Sequence, residues 1–381
     1  MKKKTFNWIE IERSALEHNI QQFRNLIGTK KKLLVMVKAN AYGHGMFEVA
    51  GIACNSGADW LGVQSVEEGI SLRREEFEYP ILVVGYIPLD NLEKAVKNDL
   101  RITVYNPESI DKLGEVCRKL GKKACLHLKV ETGTYRQGVD KRDVLAFVDK
   151  IRRDPQLVLE GVSSHFANIE DTTDHTYARR QLHNYHSIIQ NLKEHKINIP
   201  IKHFSCSAAT ILFSETHFDM ARIGIGIYGL WPSKETYLTC LLQDQQPLSL
   251  KPVLTWKARI AQLKKAPKGA MVGYGCTYKT GRESLLAVVP VGYYDGYPRN
   301  LSNTSYVLVN GERAPLRGRV AMNFLVADVT DISGVRLEDK VVLIGKSGSD
   351  AISADLLAGW GGTINYEAVT RINPFISRIV V

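Results

Sequence analysis

Eight short apolar runs of strand-like composition recur between Leu33 and Tyr228, at residues 33–37, 60–64, 81–85, 102–105, 124–130, 159–164, 201–206 and 221–228. Amphipathic stretches of helical spacing separate them, at 65–74, 91–96, 107–120, 142–153 and 177–195. Strands that alternate with helices pair in parallel, because each crossover returns the chain to the same end of the sheet. Eight such units predict a (β/α)8 barrel of the TIM type. A helix over residues 14–28 precedes the first run. Ser14 is its expected N-cap, Leu16, Ile20, Phe23 and Leu26 share one face, and Gly28 ends it.

The texture changes near residue 240. Segments 254–263, 285–291, 306–310, 324–330 and 341–345 read as strands, and only 353–359 looks helical. The expected organisation is a barrel over 1–240 and a mostly β domain over 241–381. Such a length buries a large core without disulfide or metal staples.

The longest apolar run, 81–89, is interrupted by Pro88 and falls short of the ~20 residues that a membrane helix needs. Lys2, Lys3 and Lys4 are not followed by an apolar segment, so no signal peptide is expected. The formal charge of +10 comes with short basic runs, Lys2–Lys4 and Lys30–Lys32, that carry no interleaved aromatics. That pattern fits a basic globular protein and excludes a nucleic-acid stripe. The six cysteines form no Cys-x-x-Cys pair, and no histidine cluster has zinc spacing. Reduced thiols in a cytoplasmic protein, with no metal, are expected.

Functional groups of a (β/α)8 barrel sit at the C-terminal ends of its strands. Those ends carry Lys38, the segment Lys129 to Arg136, His165, Ser207 and Arg222. A lysine at the end of an apolar strand has its pKa lowered by burial and suits Schiff-base chemistry with an aldehyde. Tyr42 reaches the same rim, and Gly43 and Gly45 allow a tight backbone there. Gly224, Gly226 and Gly229 satisfy G-x-G-x-x-G formally, but no helix opens at them, which argues against a dinucleotide fold. The N–H groups of Gly224 and Ile225 suit a single phosphate instead.

Several ordered motifs resemble the alanine racemase family almost end to end. They are Val37-Lys38-Ala-Asn-Ala-Tyr42-Gly-His-Gly, Arg222-Ile-Gly-Ile-Gly-Ile-Tyr-Gly, Gly273-Tyr274-Gly, Gly292-Tyr293-Tyr-Asp295-Gly-Tyr-Pro-Arg299 and Gly318-Arg319-Val-Ala-Met322. The resemblance implies a pyridoxal 5'-phosphate enzyme that interconverts L and D amino acids. Lys38 would hold the cofactor and, once freed, act as a base on one face of the substrate Cα. Tyr274 would stand on the other face, with His165 and Arg136 as cationic or hydrogen-bonding neighbours. Arg222 would face the pyridine nitrogen, oriented by His203, and Tyr42, Ser207, Gly224 and Ile225 resemble phosphate-binding positions. The likeness also implies that Lys129 can carry a carbamate that holds Arg136, the latter on the substrate carboxylate. A head-to-tail homodimer is implied as well, in which Tyr274, Tyr293 and Met322 complete the partner's site.

Three segments depart from the family pattern. Lys129-Val-Glu131-Thr-Gly-Thr134-Tyr-Arg136 replaces a usual Asp and Met, Ala321-Met322-Asn323 replaces Cys-Met-Asp, and Asn373 stands at or beside the place of a pocket tyrosine. A hydroxymethyl side chain needs a hydrogen-bond partner that an apolar pocket lacks. Asn323 or Asn373 could supply one. The departures resemble the serine racemase catalytic domains of vancomycin-resistance systems, whose parent proteins carry membrane segments. The expectation is therefore a serine racemase with alanine activity retained, and the alternative is an ordinary alanine racemase supplying D-alanine. Two other classes fit less well. Barrel-type decarboxylases of basic amino acids place an acid where Arg222 stands, and single-domain pyridoxal-phosphate-binding proteins lack the β domain and Tyr274.

Overall fold

A computed structural model describes residues 5–381, so the Lys2–Lys4 run lies outside the described residues. The chain forms two units. One holds residues 15–39 and 49–251, and the other 5–14, 40–48 and 252–381.

The first unit is the barrel. The first strand of the chain, β1 (Asn7–Ile11), belongs to the other unit, and the barrel is built from the next eight. These are β2 (Lys32–Met36), β3 (Trp60–Val63), β4 (Ile81–Val83), β5 (Arg101–Val104), β6 (Ala124–Lys129), β7 (Leu157–Ser163), β8 (Ile201–His203) and β9 (Met220–Ile223). They run in the order β8-β7-β6-β5-β4-β3-β2-β9, and every neighbouring pair is parallel. The two ends of that order nearly close the barrel, with Asp219 N–H donating to Lys202 O at 3.0 Å. All four residues of β3 are buried, as expected of strands covered on both faces.

The second unit holds a seven-stranded sheet and a three-stranded sheet. β1 lies second from one edge of the larger one, antiparallel to Leu254–Arg259 and parallel to the edge strand Ser377–Val380. Trp256 and Tyr297 are fully buried in its core.

Several expectations are corrected. The β unit takes up residues 5–14 and 40–48 and resumes at Pro252, so a single cut at 240/241 does not describe the division. Helix Arg13–Ile27 begins before Ser14, whose hydroxyl donates to Glu12 Oε1 at 2.9 Å and caps nothing. Segment 254–263 splits into two strands around Ile260 and Ala261. The run 221–228 stops at Ile223 and continues as a 3-10 turn, Ile225–Tyr228. Helix Asn365–Thr370 adds to the one helix foreseen in the β unit. Among the described residues, no helix is long and apolar enough to cross a membrane.

Candidate active site

Lys38 stands just past the end of β2, where Val37 N–H donates to Gly62 O at 2.8 Å. Ser65 and Glu68 form a capping box on helix Val66–Arg74. The same Glu68 carboxylate accepts from Ala39 N–H at 2.8 Å and Gln64 N–H at 2.7 Å. A helix cap thus pins the backbone one residue beyond the lysine. Burial lowers the Lys38 pKa, and Arg136 and Arg222 push it the same way against the pull of Glu68.

After Lys38 the chain turns left-handed. Ala39, Asn40, Ala41 and Tyr42 have φ of 52°, 53°, 53° and 53°. L-residues in that conformation cost roughly 1–2 kcal/mol each, and runs of them are avoided. The turn is held by Asn40 O and Oδ1, which accept from Gly45 N–H and Met46 N–H at 2.9 Å each. Gly43 follows at φ 84°, where a Cβ would lie 2.0 Å from Val369 O, so only glycine fits. Ala39→Gly is expected to stabilise the protein to urea by about 1 kcal/mol, because glycine adopts φ > 0 without penalty. Unchanged or lower stability would show that this turn stores no strain.

Four cations share the barrel mouth. The Lys129 amine has its pKa lowered to about 7, chiefly by burial and then by Arg222, Arg136 and Lys38. Arg222 is buried, and burial brings its pKa down only to about 10, so it stays protonated. Its NH1 lies 2.7 Å from His203 Nδ1, and its NH2 donates to Ser164 O at 2.7 Å and Phe204 O at 3.1 Å. Those bonds use three of the five guanidinium N–H donors and leave Nε–H and the second NH1 hydrogen outside them. His165 lies 3.5 Å from the same NH2, and burial together with the surrounding cations holds its pKa well below 6.5. It is therefore a neutral hydrogen-bonding group and not the cation considered from sequence.

Beside this cluster, the Ser207 hydroxyl accepts from Gly224 N–H at 3.0 Å and Gly226 N–H at 3.2 Å. Ser207, Gly224 and Ile225 thus meet where β9 ends and helix Ser207–Leu212 begins. Arg136 is exposed. The loop before it is tied down by Glu131, whose carboxylate accepts from Gly133 N–H and from Thr134 N–H at 2.6 Å. Thr134 Oγ1 donates to His165 O at 2.7 Å. Two of the departures from the family pattern, Glu131 and Thr134, therefore have structural work inside the barrel unit.

The remaining candidates lie in the β unit. Tyr42 sits there with its ring 6.1 Å from that of Tyr366. Tyr274 is 75% exposed on a tight turn between Gly273 and Gly275, both with φ 72°. Tyr293 N–H donates to Ala321 O and Tyr294 N–H to Met322 O, each at 3.0 Å, which joins the Tyr293 and Met322–Asn323 segments. Tyr293, Met322 and Asn323 are all exposed. Asn373 behaves otherwise. It is buried, its Nδ2 donates to Tyr294 O at 3.1 Å, and its Oδ1 accepts from Phe375 N–H at 2.9 Å. Its amide braces the loop through one Nδ2 hydrogen and one Oδ1 lone pair. The sequence reading passed over Glu68, His127 and Glu160. The period of two along β6 could have found His127, which shares a face with Lys129.

A half-buried amine of lowered basicity beside a buried, protonated arginine at a barrel mouth has the chemistry to hold a cofactor that carries both a carbonyl and an anion. The residues fit pyridoxal phosphate, with Lys38 for the aldehyde, Arg222 Nε–H for the ring nitrogen and the Ser207–Gly224–Ile225 turn for the phosphate. Residues 11–232 match the family model "Alanine racemase, N-terminal domain" and residues 253–380 match "Alanine racemase, C-terminal domain". The alanine racemase of Halothermothrix orenii is 42% identical over 371 residues, 97% of this chain and 96% of that one. That of Methanococcus maripaludis is 38% identical over 98% of both chains. The solved alanine racemase of Clostridium difficile 630 in complex with cycloserine superposes with a TM-score of 0.91 at 32% identity, over 100% of this chain and 96% of that one. A histidine racemase from Leuconostoc mesenteroides has the same fold, with a TM-score of 0.90 at 27% identity over 100% of this chain and 99% of that one. The chain belongs to the alanine racemase family, which is pyridoxal 5'-phosphate dependent.

Proposed function

We propose that this protein is an ordinary alanine racemase, with Lys38 and Tyr274 as its two bases. The observation that carries the reading is the convergence at the barrel mouth of a half-buried Lys38, just past the end of β2, with Arg136 and the buried Arg222, a setting that lowers the lysine pKa. Burial and the two arginines make the amine easier to deprotonate than a free lysine, which suits it to take a proton. Pyridoxal phosphate, when bound, supplies a ring that draws electrons from the substrate Cα and acidifies its hydrogen. Lys38 takes or returns a proton at Cα on one face, and Tyr274 Oη does so on the other. Arg136 meets the substrate carboxylate, and Arg222, always protonated, donates to the pyridine nitrogen without giving up its proton. A ring whose nitrogen stays unprotonated is a weaker electron sink, which keeps the reaction at proton transfer.

The curated relatives quoted above are named alanine racemases, and the structure engages Asn373, Glu131 and Thr134 in bracing. Both favour alanine over the serine preference expected from sequence. Asn323, exposed on the β unit, is the one departure that keeps a serine activity worth measuring. A homodimer in which the exposed Tyr274, Tyr293 and Met322 serve the partner's barrel completes the reading.

Tyr274→Phe tests the two-base assignment. Racemisation is expected to fall by about 10²–10⁴-fold, the range for loss of a general acid–base group. Exchange of the Cα hydrogen with deuterated solvent should survive from one alanine enantiomer and be lost from the other. Full racemisation by Tyr274→Phe would remove Tyr274 from the mechanism.

A further inference from the structure

Beneath the barrel mouth runs a line of buried side chains that the chemistry above does not use. Arg222 NH1 lies 2.7 Å from His203 Nδ1, His203 Nε2 lies 2.8 Å from His127 Nδ1, and His127 Nε2 lies 3.2 Å from Glu160 Oε2. Both rings are buried. The line ends at a carboxylate that is about one-fifth exposed, with Arg101 Nε 3.5 Å from the same oxygen.

Only one arrangement of protons satisfies every link. Arginine can only donate, so His203 Nδ1 accepts and its proton sits on Nε2. His127 Nδ1 must then accept, so its proton also sits on Nε2 and points at Glu160. An ionised carboxylate can only accept, which fits the far end. Both imidazoles are neutral in this arrangement, and burial depresses both of their pKa values, with the Arg222 charge acting in the same direction.

Two backbone features are shaped around the line. The β6–β7 register slips between Leu126 and His127, so that Leu126 faces Leu159 while His127 faces Gly161. Glu160 is the extra residue of that bulge, which re-aims its side chain toward the histidine. At Gly161 a Cβ would lie 2.3 Å from His127 Nδ1, so the glycine makes room for the ring. Trp60 closes the other side, edge-on to His127 with ring centroids 5.6 Å apart.

The geometry points to Glu160 as a positioning residue for Arg222. Through His127 and His203, its carboxylate fixes the hydrogen-bond polarity that holds the guanidinium with NH1 inward and Nε–H toward the cofactor ring. This rests on the proposed role of Arg222 at the pyridine nitrogen. Glutamine at position 160 breaks the constraint, because its amide can also donate to His127 Nε2. That inverts both tautomers and sets an N–H of His203 against an N–H of Arg222.

The test uses the holoenzyme with ¹⁵N-labelled histidine and ¹⁵N-labelled cofactor. In the wild type, His127 and His203 are both expected as the neutral Nε2–H tautomer. In Glu160→Gln, the His203 signal should shift or split and the pyridine ¹⁵N signal should move. The kcat should fall by about 10–100-fold, the usual cost of losing an outer-shell partner, with KM little changed. Arg101→Gln, which removes the ion-pair partner of Glu160 and the cation over the Trp60 ring but leaves the carboxylate and both histidines in place, should leave the tautomers and the pyridine signal as they are. An Nδ1–H tautomer at either ring of the wild type would overturn the proposal, and that readout does not require Glu160→Gln to fold. Unchanged tautomers, pyridine signal and kcat in Glu160→Gln would overturn it as well. If the histidine signals behave as expected but Arg222→Lys leaves the pyridine signal unmoved, the role of Arg222 at the ring fails instead.

Discussion

Lys38→Ala is expected to lower kcat for alanine by about 10⁴-fold, the upper end of the range for a positioned acid–base group. It should also abolish the covalent cofactor link that borohydride fixes in the wild type, read as loss of the corresponding mass. Both effects have one cause. The amine that captures the aldehyde is also the base on one face of Cα. The same substitution removes a buried amine whose charged form is disfavoured by its neighbours. The folded chain therefore binds protons more weakly at this position than the unfolded chain does. That penalty is largest at low pH and is relieved as pH rises through the folded pKa toward the unfolded value. The variant should thus be at least as stable as the wild type near neutrality, which separates lost chemistry from lost folding. An unstable Lys38→Ala, or one that keeps racemising, would contradict this picture of the site.

Arg222→Met is expected to be the most destabilising single change at the barrel mouth. The guanidinium bridges His203 Nδ1, Ser164 O and Phe204 O, all within the barrel interior. A methionine fills much of the volume and donates nothing, so buried acceptors lose their partner. Leaving a buried acceptor without its donor costs about 1–3 kcal/mol for each group. Denaturant unfolding reads the loss directly. Arg222→Lys should recover part of it, because a point charge can meet one or two acceptors but not the planar set. A loss below about 1 kcal/mol, the worth of one ordinary hydrogen bond, would mean that Arg222 is held by something other than these bonds.

The barrel was legible because its strands are short apolar runs with clear ends. Trp60–Val63 and Ile81–Val83 are found within two residues of their expected limits. The site was legible only as strand ends, since a lysine after Met36-Val37 and an arginine within β9 announce themselves by position. The left-handed turn at Ala39–Tyr42 was not. Of Ala-Asn-Ala-Tyr only the asparagine has a local tolerance for φ > 0, and the bonds that close the turn come from Gly45 and Met46, beyond the segment. Glu160 was hidden for a different reason. Its direction depends on a bulge, and a bulge breaks the alternation from which side-chain direction is read. The placement of β1 depends on pairing with Leu254–Arg259 and Ser377–Val380, both far along the chain, which periodicity does not encode. The bracing bonds of Asn373 were not legible either, because a polar residue looks the same in sequence whether it faces a ligand or braces a loop.

The most direct measurement of the central claim is racemisation by the purified, cofactor-loaded protein. L-alanine, D-alanine and L-serine are compared under identical conditions, with both enantiomers quantified. The expected result is convergence to an equal mixture from either alanine enantiomer, with kcat/KM on serine lower than on alanine. Comparable or greater kcat/KM on serine would contradict the alanine assignment and return attention to Asn323. Absence of turnover on either amino acid, with cofactor bound, would contradict the enzyme itself.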